Sequence, residues 1–167
     1  LRDYYDGYAR VAAQAGAGLL LESPTWRANP DWGARVGYVQ AALDRVNTAA
    51  MRFVAEIADA WRDRVPQVRL VGVLGPRGDG YRASAAEPSE AAAYHLPQVR
   101  ALAAGGAELI VVYTLTGVGE AAGVALAARD VGLPVGIGLT VELDGRLPDG
   151  TPLADAIEAV DSLCAPT

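Results

Sequence analysis

The chain is predicted to be an α/β protein assembled from parallel β/α units, and three observations carry that prediction. Short, nearly continuous apolar runs occur at Leu19–Glu22, Val68–Leu74, Glu108–Val112 and Pro134–Leu139, the form taken by strands buried in a parallel sheet. Longer stretches with helical periodicity separate them. Each run also ends in a loop rich in polar or glycine residues: Pro24-Thr25-Trp26-Arg27, Gly75-Pro-Arg-Gly-Asp-Gly-Tyr81, Tyr113-Thr-Leu-Thr116 and Thr140-Val-Glu142. Strands alternating with helices imply right-handed crossovers and a sheet covered by helices on both faces. On the residues alone, a small doubly wound sheet and a segment of a (β/α)8 barrel, whose complete form takes about 250 residues, both remain open.

In chain order, Arg2–Ala15 is expected to be helical, with Tyr4, Tyr5, Tyr8, Val11 and Ala12 at helical spacing and Gly16 and Gly18 closing it. The strand Leu19–Glu22 follows, and Pro24 and Pro30 forbid regular structure in its loop. Gly33–Arg64 carries one apolar stripe, Val36, Val39, Leu43, Val46, Ala50, Phe53, Ile57 and Trp61, on a long helix broken near its start and ended by Pro66. After Val68–Leu74 and its glycine-rich turn, a helix starts near Pro88 and runs to Ala104, with a kink expected at Pro97. Strand Glu108–Val112, helix Gly117–Val131 and strand Pro134–Leu139 come next. Turns at Asp144-Gly145 and Asp149-Gly150 lead to Thr151-Pro152, an N-cap and first-turn proline for a last helix over Leu153–Val160.

Composition excludes several classes. The 167 residues suit one domain, and a 51% hydrophobic, 20% charged composition argues against extended disorder. The net charge is −6, and all 14 basic residues are arginine; no clustered positive footprint for nucleic acid is expected. Cys164 is the single cysteine, which removes an internal disulfide framework and a multi-cysteine metal site and makes a reducing, cytoplasmic setting the expectation. No apolar run reaches the ~18 residues of a membrane span. The first residue is Leu1 in what reads as a helix, so the chain is expected to be a piece of something longer.

The candidate chemistry gathers at the strand ends. Glu22 and Glu142 stand at or just after strand ends, where barrel enzymes collect catalytic groups; the simpler role for each is to cap a turn or pair with Arg27 or Arg146. The Gly75–Tyr81 turn resembles a phosphate cradle, yet it lacks the ending of a P-loop and the spacing of a dinucleotide site, and Pro76 has no amide to donate. A small α/β module binding a phosphate or nucleotide there is the alternative reading. His95 is the one histidine and falls in a helix, where packing or capping is the ordinary role. Neither Ser23 nor Ser84 sits in a nucleophile elbow, and Cys164 lies in a terminal tail without a paired histidine.

Five segments, LLLESPTWRANPDWGARVGY, VGVLGPRGDGY, a helix containing YHLPQ, YTLTGVGEAAGVALAARDVGLPV and TVELDGRLPDGTPLADAI, together resemble the homocysteine S-methyltransferase family, most closely its bacterial members, across essentially the whole chain in one order. The resemblance implies a partial (β/α)8 TIM barrel containing about strands two to five, a single incomplete domain over residues 1–167. It implies methyl transfer from a sulfonium donor such as S-methylmethionine to homocysteine, giving methionine. It also implies zinc held by three cysteines near the ends of the sixth and eighth strands, beyond this chain, so that no metal ligand is assigned here and Cys164 is not taken as one. Zinc would bind the substrate thiol as thiolate, lowering its pKa and placing a sulfur nucleophile for attack on the methyl carbon.

Tyr113-Thr114 stands where many family members carry Glu-Thr or Glu-Tyr, the Glu helping to hold the homocysteine amino group. A phenol carries no full negative charge near neutral pH, which leaves a related thiol, or a carboxylate from elsewhere, as the two readings. Glu22, Thr25, Arg77, Tyr113, Thr114 and Thr140 are the residues expected to face the substrate, and no catalytic residue is assigned. The 167-residue chain alone is expected to be inactive, to bind neither nucleic acid nor membrane, and to self-associate through open sheet edges.

Overall fold

A computed structural model of the protein describes residues 1–164. Helix α1 (Arg2–Ala15) precedes β1 (Leu19–Glu22), which is followed by a short α2 (Pro30–Arg35) and a long α3 (Gln40–Trp61). Then come β2 (Val68–Leu74), α4 (Pro88–Ala104), β3 (Leu109–Leu115), α5 (Val118–Asp130), β4 (Val135–Leu139) and α6 (Leu153–Cys164). The four strands form one parallel sheet in the order β1-β2-β3-β4.

That order decides between the two architectures. Strands that never reverse direction of addition, joined by crossovers of one hand, place every helix on the same side of the sheet. The register shows it: Leu19, Leu21, Val68, Leu70, Leu74, Ile110, Val112, Val135 and Ile137 share one face and pack with Tyr5, Met51, Val54, Ile57, Val99, Leu102 and Val124 from the helices in a single core. Each fully buried Leu or Ile in it contributes about 1.5–3 kcal/mol. Leu20, Glu22, Arg69, Val71, Val73, Val111, Tyr113, Gly136 and Gly138 occupy the other face, which stands outside that core. The expectation of helices on both faces is therefore corrected. A doubly wound sheet is excluded, and the fold is a segment of a (β/α)8 barrel whose inner face carries no helix.

The element boundaries agree with expectation in part. The long periodic segment breaks at Val36–Val39, where Gly37 takes φ 83°, a conformation open to glycine but not to a residue continuing a helix. Val36 and Val39 are 72% and 69% exposed, so the buried stripe of α3 begins only at Leu43 and runs through Asn47, Met51 and Val54. In α1 the buried residues are Tyr5, Ala9 and Ala12, with Tyr4, Tyr8 and Val11 exposed. Helix α4 is continuous through Pro97. Helix α6 extends to Cys164, which lies in the helix rather than in a tail; the rest of that tail lies outside the described residues. Helices α4 and α5 approach closely through Gly123, whose α-carbon has no room for a methyl against Ala91, Ala92 and Pro88.

Candidate functional site

Side chains from the C-terminal ends of β1 and β3 meet across β2 on the face away from the helices. Glu22 is the last residue of β1, and its carboxylate accepts a hydrogen bond from the Tyr113 phenol. The phenol is pushed up to about 12 by that bond, then by burial and by the Glu22 charge. Near neutral pH it is thus a hydrogen-bond donor and not a base. The Tyr5 hydroxyl donates to the Glu22 carbonyl at 2.8 Å, which ties α1 to the same strand end. A cavity of about 640 Å³ opens here, lined among others by Tyr4, Tyr8, Glu22, Trp26, Tyr113 and Thr114. A carboxylate amid aromatic rings suits the cationic end of a small molecule.

Tyr113 and Thr114 lie inside the strand, which runs to Leu115, and not in a loop after Val112 as expected. The register with β4 slips between Val112 and Leu115, and Thr114 takes φ 61°, a costly conformation for a β-branched residue. Without the slip, neighbouring side chains would point to opposite faces. The bulge lets Tyr113 and Thr114 both line the cavity while Leu115 returns to the core.

Thr25 also borders the cavity, but its hydroxyl is committed. The Val73 amide donates to Ser23 Oγ at 3.0 Å, and Thr25 Oγ1 donates to the Val73 carbonyl at 2.7 Å. Ser23 Oγ and Thr25 Oγ1 are 2.7 Å apart, so the Ser23 proton closes a ring that pins the loop to β2. Behind it, Gln98 donates to the Thr25 carbonyl at 2.9 Å and to Asn47 Oδ1 at 3.2 Å, and Asn47 donates to the Ala28 carbonyl at 2.9 Å. The Arg27 guanidinium is stacked between Trp26 and Trp32, 4.3 and 3.9 Å from the ring centres.

Arg77 and Thr140 stand apart from that cavity. Arg77 lies over the Tyr94 ring and pairs with Asp31 at 3.4 Å, both half exposed. Thr140 donates to the Gly80 carbonyl at 3.0 Å. Glu142 is exposed on the turn that follows, and Arg146 pairs with Asp144 instead. In the Gly75–Tyr81 turn, the Arg77 amide donates to Glu120 at 2.6 Å and the Tyr81 amide to Asp79 at 2.8 Å. Two of the turn's amides are thus spent on carboxylates and Pro76 has none, an arrangement that repels rather than cradles a phosphate.

Glu120, on the first turn of α5, carries no mark in its sequence context. It is 2% exposed and receives the Arg77 amide, His95 Nε2 at 3.0 Å and Ser84 Oγ at 3.4 Å. Burial alone would raise its carboxyl; the bonds from His95 and the Arg77 amide, the His95 charge and the Ser84 bond outweigh burial and hold it below the usual carboxylate range. His95 is therefore neither a cap nor an apolar packing residue but the partner of a buried carboxylate.

A groove of about 720 Å³ between α3 and α4, bordered by Arg45, Arg52 and Arg100, lies on the helical layer, away from the strand ends where ligands of parallel sheets bind. Among the described residues, no group of three or more His, Cys, Asp or Glu side chains is placed to hold a metal. The Cys164 thiol is half-buried, 3.7 Å from the Ala122 carbonyl, and pushed up by burial. No helix among these residues is long and apolar enough to cross a membrane.

Three solved structures of the homocysteine methyltransferase MmuM from Escherichia coli share this fold. The metallated form aligns with TM-score 0.77 over 93% of this chain at 21% identity, the oxidized form with 0.81 over 97% at 21%, and the apo form with 0.65 over 96% at 22%. The chain spans 58–59% of the length of those proteins. The sequence model of homocysteine S-methyltransferases matches residues 1–167, and the chain belongs to that family.

Proposed function

We propose that the protein of which this chain forms part transfers a methyl group from a sulfonium donor such as S-methylmethionine to the thiol of homocysteine, in the cytoplasm. Family membership across all 167 residues carries this reading. The residues present do not fit a zinc site, since no three-ligand cluster exists among those described; zinc ligands would come from outside this chain, and no step is assigned to zinc here. One of the similar methyltransferase structures is of a metallated form, which is consistent with a metal in the whole enzyme.

What this chain supplies is one wall of the substrate cavity. The Glu22 carboxylate, hydrogen-bonded to the Tyr113 phenol, offers the negative charge that Tyr113 itself lacks and would hold the ammonium group of the amino-acid thiol. Thr114 lies beside it, Thr25 shapes the cavity through the ring that fixes its loop, and Arg77 and Thr140 belong to the neighbouring strand-end loops. As a single incomplete domain, the isolated chain would form no methionine and would self-associate through its open edges, with no affinity for nucleic acid or membranes.

The test is an assay of the 167-residue chain with homocysteine, S-methylmethionine and zinc, beside a longer version carrying the flanking reading frame. Methionine formed only by the longer protein is the expected result. Turnover by the chain alone would refute the claim that it lacks essential groups, and inactivity of both would refute the assigned reaction. Replacing Glu22 by Gln in the longer protein is expected to raise KM for homocysteine at least tenfold.

A further inference from the structure

The buried Glu120–His95 pair lies outside the cavity, on α5 and α4, yet Glu120 binds the loop that borders the strand ends. Glu120 is 2% exposed and His95 1%. Ionised, Glu120 needs several donors to offset its desolvation, and it has three: the Arg77 amide, His95 Nε2 and Ser84 Oγ. His95 Nδ1 is buried without a partner, so the imidazole is held by the carboxylate and by its packing, with Tyr94 edge-on beside it. The loop is laid tightly on α5 from the other side as well, since Gly117 and Gly119 have no room for a methyl group against the Ser84 and Ala86 carbonyls.

The consequence appears at the far end of the same loop. Gly80 lies so close to Thr114 that a methyl group on it would come within 3.2 Å of Thr114 Cβ and Oγ1, and its carbonyl receives the Thr140 hydroxyl at 3.0 Å. Thr114 is the one non-glycine residue with positive φ among those described. A conformation of that kind costs about 1–3 kcal/mol and persists only where its surroundings hold it. The loop running from Arg77 to Gly80 is such a surrounding.

We propose that Glu120, backed by His95, is a positioning residue for the cavity rim: by seating the Arg77 amide it presses Gly80 onto Thr114 and keeps the bulge that aims Tyr113 and Thr114 at the substrate. The functional half of this inference rests on the reading of that rim as the substrate site. The structural half does not.

Amide exchange and backbone chemical shifts of the wild-type chain, E120Q and E120A test it. In E120A the Arg77 amide is expected to exchange about 100-fold faster, with shift changes at Gly80, Thr114 and Thr140, while Ile110 and Val112 in the core stay protected. E120Q, which keeps an oxygen acceptor, should restore most of the Arg77 protection. Unchanged Thr114 and Gly80 signals in an E120A chain whose Arg77 amide is free would overturn the proposal. Should E120A fail to fold, T140V loosens the same loop from its other end: movement of Gly80 and Thr114 supports the coupling, and its absence overturns it. Titrating homocysteine into the wild-type chain separates the two halves. Shifts at Tyr113 and Thr114 support the functional half, and their absence refutes that half while leaving the seating of the loop to the exchange data.

Discussion

The bond between Glu22 and Tyr113 can be measured directly, because its donor has an optical titration. The phenol is pushed up to about 12, first by the hydrogen bond to Glu22, against about 10 for a free tyrosine. A rise of that size would correspond to ~2.7 kcal/mol in a dry site. Tyr113 is 38% exposed, so solvent screening reduces the coupling to about 1 kcal/mol. The sign follows from linkage: a folded-state pKa raised above the unfolded value gives stability that is complete below pH ~10 and is lost as pH rises towards 12. In a difference titration against Y113F, Tyr113 should ionise well above the free value in the wild-type chain and near it in E22Q. A double-mutant cycle of E22Q and Y113F, read by denaturant unfolding at neutral pH, should return a coupling of about 1 kcal/mol. Additive effects together with an unshifted Tyr113 would show that the two side chains do not form this bond in solution, and the source of charge at the rim would have to be sought elsewhere.

Four further outcomes rest on other positions. Gly123→Ala gains about 1 kcal/mol of helix propensity, but the new methyl would sit 2.7 Å from Ala92 N and 2.8 Å from the Pro88 carbonyl, backbone atoms that cannot swing aside; a net loss of about 2 kcal/mol is expected in denaturant unfolding. Gly7→Ala in α1, with open space around it, should instead stabilise by up to ~1 kcal/mol. Glu120 is held below the usual carboxylate range, so its contribution is present above its unfolded pKa and lost as pH falls through the folded value. Stability should decline below about pH 4.5, and less steeply in E120Q; equal acid slopes would remove Glu120 as the cause. Thr25→Val breaks the ring with Ser23 and Val73 and leaves a buried carbonyl unpaired, at a cost of about 1–3 kcal/mol, visible as a lower unfolding midpoint.

The alternation of strands and helices was legible because each strand is a run of apolar residues too short for a helix and closed by a loop rich in polar or glycine residues. What escaped reading depended on contacts between distant segments. Asn47 looks like a break in the apolar stripe of α3; it faces inward because the Ala28 carbonyl and Gln98 supply its hydrogen bonds. Glu120 reads as one solvated residue on an alanine-rich helix, since its partners Arg77, Ser84 and His95 lie on other elements. The slip at Thr114 leaves no mark in composition, because the run Leu109–Leu115 is apolar enough to pair in either register. Glu22 and Tyr113 each read as strand-end residues, but their pairing required the strand order. Helices on one side only were equally hidden: β/α alternation is the same for a barrel and for a doubly wound sheet, and the order of strands in space distinguishes them.

That one-sidedness has a cost that can be tested. Leu20 is 55% exposed on the face away from the helices, paired in register with the exposed Arg69, and β1 and β4 each present an unpaired edge among the described residues. Parallel strands are ordinarily covered on both faces, and an uncapped edge beside exposed apolar side chains recruits further strands. The 17.3 kDa chain is therefore expected to elute above its monomer mass, increasingly so at higher concentration. Leu20→Glu should shift it towards monomer, because burying an added carboxylate in a sheet contact costs more than the leucine contributed. The same substitution leaves the helix-covered core untouched, so secondary structure measured by circular dichroism should persist. A wild-type chain that stays monomeric at every concentration would mean that the exposed Leu20 and the open edges are tolerated in water, contrary to the reasoning from sheet burial.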